Sequence, residues 1–125
     1  MIAPEWRLID TGPCSASYNM AIDEAIVEAV RKKLSPPTLR FYQWSVPSVS
    51  IGYFQKINEI NIDYCNRMGY PIIRRPTGGR AILHDSELTY SFSVRTDIAP
   101  FTGRLFDNYM AISKAIISGL SALGL

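Results

Sequence analysis

Apolar residues recur at Ile22, Ala25, Ile26, Ala29 and Val30, the offsets 0, 3, 4, 7 and 8 that mark one face of a helix. Ser17 is placed to cap it, Asp23 and Glu24 lie early, and Arg31, Lys32 and Lys33 lie late, as the helix dipole favours. Pro36 and Pro37 stop it. A second helical stripe runs through Phe106, Tyr109, Met110, Ser113, Ile116, Ile117, Leu120 and Leu123, closed by Gly124. Between the two, Asn61 to Met68 predicts a short helix capped by Asn61, with Ile62 and Cys65 inward and Gly69 at its end.

Other segments carry the period of strands. Trp6 to Asp10 predicts a first strand ending at the turn formers Thr11, Gly12 and Pro13, and Thr38 to Trp44 predicts a second. From Ser48 to Phe54, Val49, Ile51 and Tyr53 share one face, while the opposite face holds small residues that would admit a ligand or another backbone. Tyr70 to Arg75 predicts a further strand. Leu88, Tyr90, Phe92 and Val94 alternate with Thr89, Ser91 and Ser93 in the clearest strand pattern of the chain. The order β-α-β-β-α-β-β-α argues for the α+β class, without internal repeat or linker, so residues 1–125 form one candidate domain.

Composition narrows the function classes. A chain of 125 residues supports a single core. With 13 basic and 11 acidic side chains the net charge of +2 is too small to mark a nucleic-acid partner. No apolar run reaches the roughly 20 residues that span a bilayer, and the opening Met1 to Arg7 lacks the plan of a signal peptide. A cytoplasmic protein without a membrane partner is the expectation. Cys14 and Cys65 are isolated and His84 is the single histidine, so no metal site is expected and both thiols read as small buried or half-buried groups.

Chemistry concentrates in Arg74-Arg75-Pro76-Thr77-Gly78-Gly79-Arg80-Ala81-Ile82-Leu83-His84-Asp85. The glycine pair lets backbone approach a ligand and present N–H groups, Thr77 adds a hydroxyl, and arginine recognises phosphate or carboxylate in two-pronged fashion. Consecutive strand residues point to opposite faces, so one of Arg74 and Arg75, here Arg75, is expected to face a pocket. The loop lacks the Gly-Lys-Ser/Thr ending of a phosphate-binding loop and joins strands rather than opening a helix. An anion or acyl site and an ordinary glycine hairpin with solvated arginines both remain open on composition. Asp23 and Glu24 read as surface acids matched to the dipole or as partners of the loop arginines rather than as catalytic carboxylates.

That loop, with Glu87-Leu88-Thr89-Tyr90-Ser91 after it, resembles the signature of the biotin and lipoate protein ligase superfamily, closest to its octanoyltransferase and lipoate-protein ligase A members. Trp6 to Gly12, Asn19 to Ala25, Arg40 to Trp44 and Ser50 to Gln55 follow the family's order and spacing, so the resemblance spans about residues 6 to 125. It implies a mixed β-sheet flanked by helices, like class II aminoacyl-tRNA synthetases and biotin ligases. It also implies a tunnel for a medium-length acyl chain lined near Trp44, Tyr53, Gly78 and Gly79, with Arg75, Thr77, Arg80 and His84 as further substrate-binding residues. Trp44 and Tyr53 could equally be core aromatics, and His84 a hydrogen-bonded structural histidine.

In ATP-using lipoate ligases a third glycine stands where this chain has Arg80, which favours the octanoyltransferase branch and a reaction without ATP or other cofactor. The ligase alternative would use lipoate or octanoate with ATP and Mg. The partners implied are lipoyl carrier domains, either glycine cleavage H protein or dehydrogenase E2, and acyl carrier protein. Family nucleophile and lysine motifs are not found among these residues, so the chain resembles the truncated N-terminal part of a catalytic domain, without a catalytic residue of its own. A second polypeptide completing the domain, or a non-catalytic assembly module, would also give this sequence. Uncovered sheet edges and apolar surface lead to an expectation of self-association.

Overall fold

Strand β2 (Thr38–Trp44), predicted to the residue, is the centre on which the first half of the chain is built. It pairs in parallel with β1 (Arg7–Cys14) and antiparallel with β6 (Thr89–Ser93). A second three-stranded sheet places β3 (Ser48–Ile51) between β4 (Ile72–Arg74), parallel to it, and β5 (Ile82–His84), antiparallel. The mixed pairing expected of the fold is thus divided between two sheets. These assignments come from a computed structural model that describes residues 5–125. The first four residues, part of the argument against a signal peptide, lie outside the described residues. The chain divides into two compact units, one ending at Ser93 and one running from Val94 to Leu125.

Several boundaries differ from the sequence reading for local physical reasons. Thr11-Gly12-Pro13 does not end β1 but sits inside it, where the register with β2 slips between Asp10 and Pro13. Gly12 takes φ +62°, and its N–H donates to Asp10 Oδ1 at 3.0 Å, a local bond that replaces a ladder bond. Helix α1 (Ala16–Arg31) is capped by Ser15 rather than Ser17, with Ser15 Oγ accepting from Tyr18 N at 3.3 Å. Its buried face is Ala16, Asn19, Met20, Asp23, Ile26 and Val30, whereas Ala25 is exposed.

The rotation of that face has a cause on β2. Arg40 is completely buried, and its five N–H donors are all used: on Asn19 O (2.9 Å), Asp23 Oδ1 (2.7 Å), Asn19 Oδ1 (2.7 Å) and twice on Thr11 Oγ1 (3.0 and 3.2 Å). Asp23 also accepts from Tyr42 Oη at 2.9 Å and Ser91 Oγ at 2.7 Å. Burial first, and then the carboxylate of Asp23, push the Tyr42 phenol far above its usual range. Asp23 is therefore neither a surface acid nor a partner of the loop arginines. A buried cation has to be paired, and α1 turns its polar residues inward to pair it.

The same demand orients β6. Its polar residues face inward, Ser93 buried and Ser91 on Asp23, while Leu88 just ahead of the strand and Tyr90 within it are exposed. Helix α2 (Ile62–Met68) has the predicted Asn61 cap, with Asn61 Oδ1 accepting from Tyr64 N at 2.9 Å, and ends at Gly69 in the left-handed region. Cys65 is buried beside Val49 and Ile51, with Ile60, Tyr70, Ile72 and Ala81 packed around them, but Ile62 is exposed. Strand β5 is an addition to the predicted order. In the second unit, α3 (Leu105–Ala122) forms where the stripe predicts it, and no residue of it is buried. No helix among the described residues is long and apolar enough to cross a membrane.

Candidate functional site

The glycine-rich loop joins β4 to β5, the two strands that flank β3, so its ends are fixed against the small residues of β3. Ser50 pairs with Ile73 on one side and Ile82 on the other. Strand β3 stops at Ile51 rather than continuing to Phe54, and the chain that follows closes on the loop: Tyr53 N donates to Thr77 O at 2.9 Å. Gly52 is the reason the two segments can meet. A Cβ at Gly52 would lie 1.9 Å from Gly79 O, so the small face of β3 and its extension receives another backbone.

Arg75 closes the loop from inside. Its Nη1 donates to Ser50 O (3.2 Å) and Ser50 Oγ (3.0 Å), and its Nη2 to Gly78 O (2.8 Å) and Arg80 O (2.7 Å). Among the described residues no carboxylate lies within ion-pair distance of it, and desolvation pulls its pKa below the ordinary arginine value. The positive charge is compensated by three carbonyl dipoles and the Ser50 hydroxyl. Meanwhile the backbone N–H groups of Gly78, Gly79 and Arg80 donate to no described protein acceptor. The loop therefore turns carbonyl oxygens toward Arg75 and keeps its N–H donors unused beside a cation, an arrangement suited to an anionic or carbonyl oxygen.

His84, at the end of β5, anchors the other side. Its Nε2 lies 2.8 Å from Ser50 Oγ and its Nδ1 2.6 Å from Glu87 Oε1, while its ring stacks on Trp44 at 4.1 Å between centroids. Trp44 is held in turn by its indole N–H on Thr89 Oγ1 at 2.9 Å. Four of the predicted residues, Trp44, Arg75, Gly78 and His84, are thus joined by contacts that pass through Ser50, and Arg80 joins them through its carbonyl. Arg74 turns the other way and donates from Nη1 to Gly52 O, Tyr53 O and Gln55 O, as the opposite-faces argument expects.

The remaining predicted residues are peripheral. Tyr53 contributes its backbone, but its ring is 55% exposed and meets Phe54 edge-on. Thr77 is exposed and enters through its carbonyl. Arg80 is exposed too, with an ion contact of 3.9 Å to Glu59, the kind of surface pair that contributes ~0–1 kcal/mol. Sequence reasoning left out Ser50, Glu87 and Thr89. Ser50 lay on the small face of its strand and Glu87 three residues beyond His84, signals present but not specific. The two thiols stand apart: Cys65 in the core cluster, and Cys14 with its Sγ 3.5 Å from Thr11 O.

Comparison with known proteins adds three findings. Residues 15–125 match the lipoyl protein ligase A/B catalytic domain family. The Octanoyltransferase LipM of Moorella thermoacetica is 47% identical over 125 residues, covering 99% of this chain and 46% of the relative, so the chain spans under half that protein's length. Among solved structures, a bi-partite lipoate protein ligase from Thermoplasma acidophilum, studied with its E2 lipoyl domain, superposes with a TM-score of 0.80 at 32% identity. That match covers 98% of this chain and 47% of the solved one. A lipoate-protein ligase A bound with ATP gives a TM-score of 0.79 at 30% identity, over 99% of this chain and 48% of that one.

Proposed function

The chain belongs to the lipoyl protein ligase A/B catalytic domain family, and from that premise we propose that residues 1–125 are the acyl-holding N-terminal part of an enzyme that transfers an octanoyl or lipoyl group to a lysine of a lipoyl carrier domain. The observation that carries the reading is the Arg75 loop, whose carbonyls are tied to a guanidinium and whose N–H groups remain available for a carboxylate, thioester or developing oxyanion. Exposed apolar side chains at Ile82 and Leu83, immediately after the loop, offer surface for a hydrocarbon chain. Trp44, Tyr53, Thr77 and Arg80 complete the proposed lining.

Acyl transfer by this route needs a thiolate to take the acyl group and an amine to receive it. Cys65 is sealed in the core and Cys14 is bonded to its own turn, so the nucleophile is supplied by polypeptide outside these residues. The acceptors in this reading are a dehydrogenase E2 lipoyl domain or glycine cleavage H protein, the donor is octanoyl-acyl carrier protein, and the setting is cytoplasmic. An ATP-dependent ligase is the competing reading, supported by the ATP-bound neighbour. Among the described residues no group of three His, Cys, Asp or Glu is placed to hold a metal, so no step is assigned to Mg.

Calorimetric titration of the chain with octanoate and lipoate should show binding that Arg75→Ala abolishes. Mass spectrometry of a lipoyl domain incubated with octanoyl-acyl carrier protein should show no added octanoyl mass with the chain alone. Octanoyl mass should appear without ATP once the second-half polypeptide of a longer relative is supplied. Mass that appears only with ATP would replace transferase by ligase, and absence of any acyl binding would overturn the acyl-holding role.

A further inference from the structure

We infer that Ser50 and Glu87 are positioning residues that lock His84 in a single tautomer and, with it, set the Arg75 guanidinium that shapes the glycine loop. The argument is one of hydrogen accounting. Arg75 Nη1 can only donate, so the 3.0 Å bond makes Ser50 Oγ an acceptor and leaves its single hydrogen to be placed. Ser50 is wholly buried, and the remaining partner of its hydroxyl is His84 Nε2 at 2.8 Å. Ser50 therefore donates to Nε2, which must be unprotonated. The ring proton then sits on Nδ1 and is donated to the Glu87 carboxylate at 2.6 Å. A doubly protonated His84 would leave the Ser50 hydrogen buried with no acceptor.

The order serine, histidine, carboxylate has the spacing of a nucleophile, its base and an orienting acid. Here the serine is inaccessible and engaged by an arginine, so the chain transmits position and not a proton. Both nitrogens of His84 are satisfied inside the protein and Trp44 covers one ring face, which leaves His84 no edge for an acyl group. The path then runs from Ser50 to Arg75 and on to Gly78 O and Arg80 O, the bonds that hold the loop N–H donors in place. Ser50, absent from the predicted site, joins its two halves. The use of this chain in transfer rests on the acyl-holding reading; its geometry does not.

Because His84 is the only histidine, nitrogen-15 NMR of the whole 125-residue protein reads its tautomer without assignment ambiguity. The expected spectrum has a protonated Nδ1 and a bare Nε2. Glu87→Gln, at a half-exposed position, replaces the carboxylate acceptor of Nδ1–H by a weaker amide oxygen and should shift the Nδ1 resonance, and Ser50→Ala should shift the Nε2 resonance. Both should move the amide resonances of Gly78, Gly79 and Arg80. In the octanoate titration Glu87→Gln should weaken binding roughly tenfold, the lower range for losing an outer partner that holds a site in place. A wild-type spectrum with Nε2 protonated, or one unchanged by Glu87→Gln, would overturn the inference. The expected spectra with no octanoate binding by the wild type would sustain it and remove the acyl-holding role instead.

Discussion

Replacing Gly52 by alanine tests the closest approach in the site. The added Cβ would stand 1.9 Å from Gly79 O, 2.8 Å from Gly79 C and 3.3 Å from Gly79 N, all backbone atoms with no rotamer to turn aside. Reaching an ordinary contact of 3.4 Å requires a retreat of 3.4 − 1.9, or 1.5 Å. The loop cannot make that move freely. Gly78 O and Arg80 O on either side are bonded to Arg75 at 2.8 and 2.7 Å, and Thr77 O to Tyr53 N at 2.9 Å, so at least one of these bonds opens. Overpacking of this kind costs about 1–3 kcal/mol, a load a domain of this size survives. A displacement of ~1 Å at a positioned site costs on the order of 100-fold in function. The variant should therefore unfold at a moderately lower urea concentration, keep its far-ultraviolet circular dichroism, and bind octanoate about 100-fold more weakly. Amide shifts should change most at residues 77–80. Gly78→Ala is the control for added volume, since a Cβ there meets nothing within 4 Å. Loop shifts in Gly52→Ala no larger than in Gly78→Ala, with octanoate affinity unchanged, would refute the reasoning.

Three other perturbations bear on the fold and the loop. Asp23→Asn leaves the buried Arg40 without its counter-charge and should cost ~3–5 kcal/mol in urea unfolding; a loss under about 1 kcal/mol would show that the pair is not desolvated in solution. The Tyr42 phenol has a raised folded pKa, so its contribution to stability is complete below the unfolded value of about 10 and is lost as pH climbs above it. Urea midpoints should then fall more steeply above pH ~10 in the wild type than in Tyr42→Phe. Arg75→Lys replaces a fork that spans Ser50 and the two loop carbonyls with a single ammonium; acyl binding should drop and the amide resonances of Gly78 to Arg80 should shift, both within reach of calorimetry and NMR.

Periodic segments were the readable part of the fold. Strand β2, helix α2 and helix α3 form where their local patterns place them, although Ile62 of α2 turns outward. The inward face of α1 was misread because apolar periodicity assigns no core position to Asn19 or Asp23. Both are buried to satisfy Arg40, 17 residues from Asp23 and 21 from Asn19 in sequence. Strand β5 has three residues, too few to show alternation, and exists because β3 presents an edge for it. Nor does a local pattern state which strand pairs with which, so the division into two sheets had no sequence signal.

The candidate site was legible as a loop but not as a set of contacts. Its two glycines look alike in sequence and do different things. Gly79 takes φ +95° and packs its carbonyl against Gly52, whereas Gly78 has open space at its Cβ position. The requirement for smallness is therefore shared between Gly79 and a residue 27 positions earlier, on the segment whose alternate residues Ser48, Ser50 and Gly52 read in sequence as a face open to a ligand or another backbone. The structure fills that face with the loop itself: Ser50 receives Arg75 and His84, and Gly52 receives the Gly79 carbonyl. Small residues on β3 thus shape the glycine loop from behind. A substitution there should act on binding through the loop, with no new contact to the acyl group.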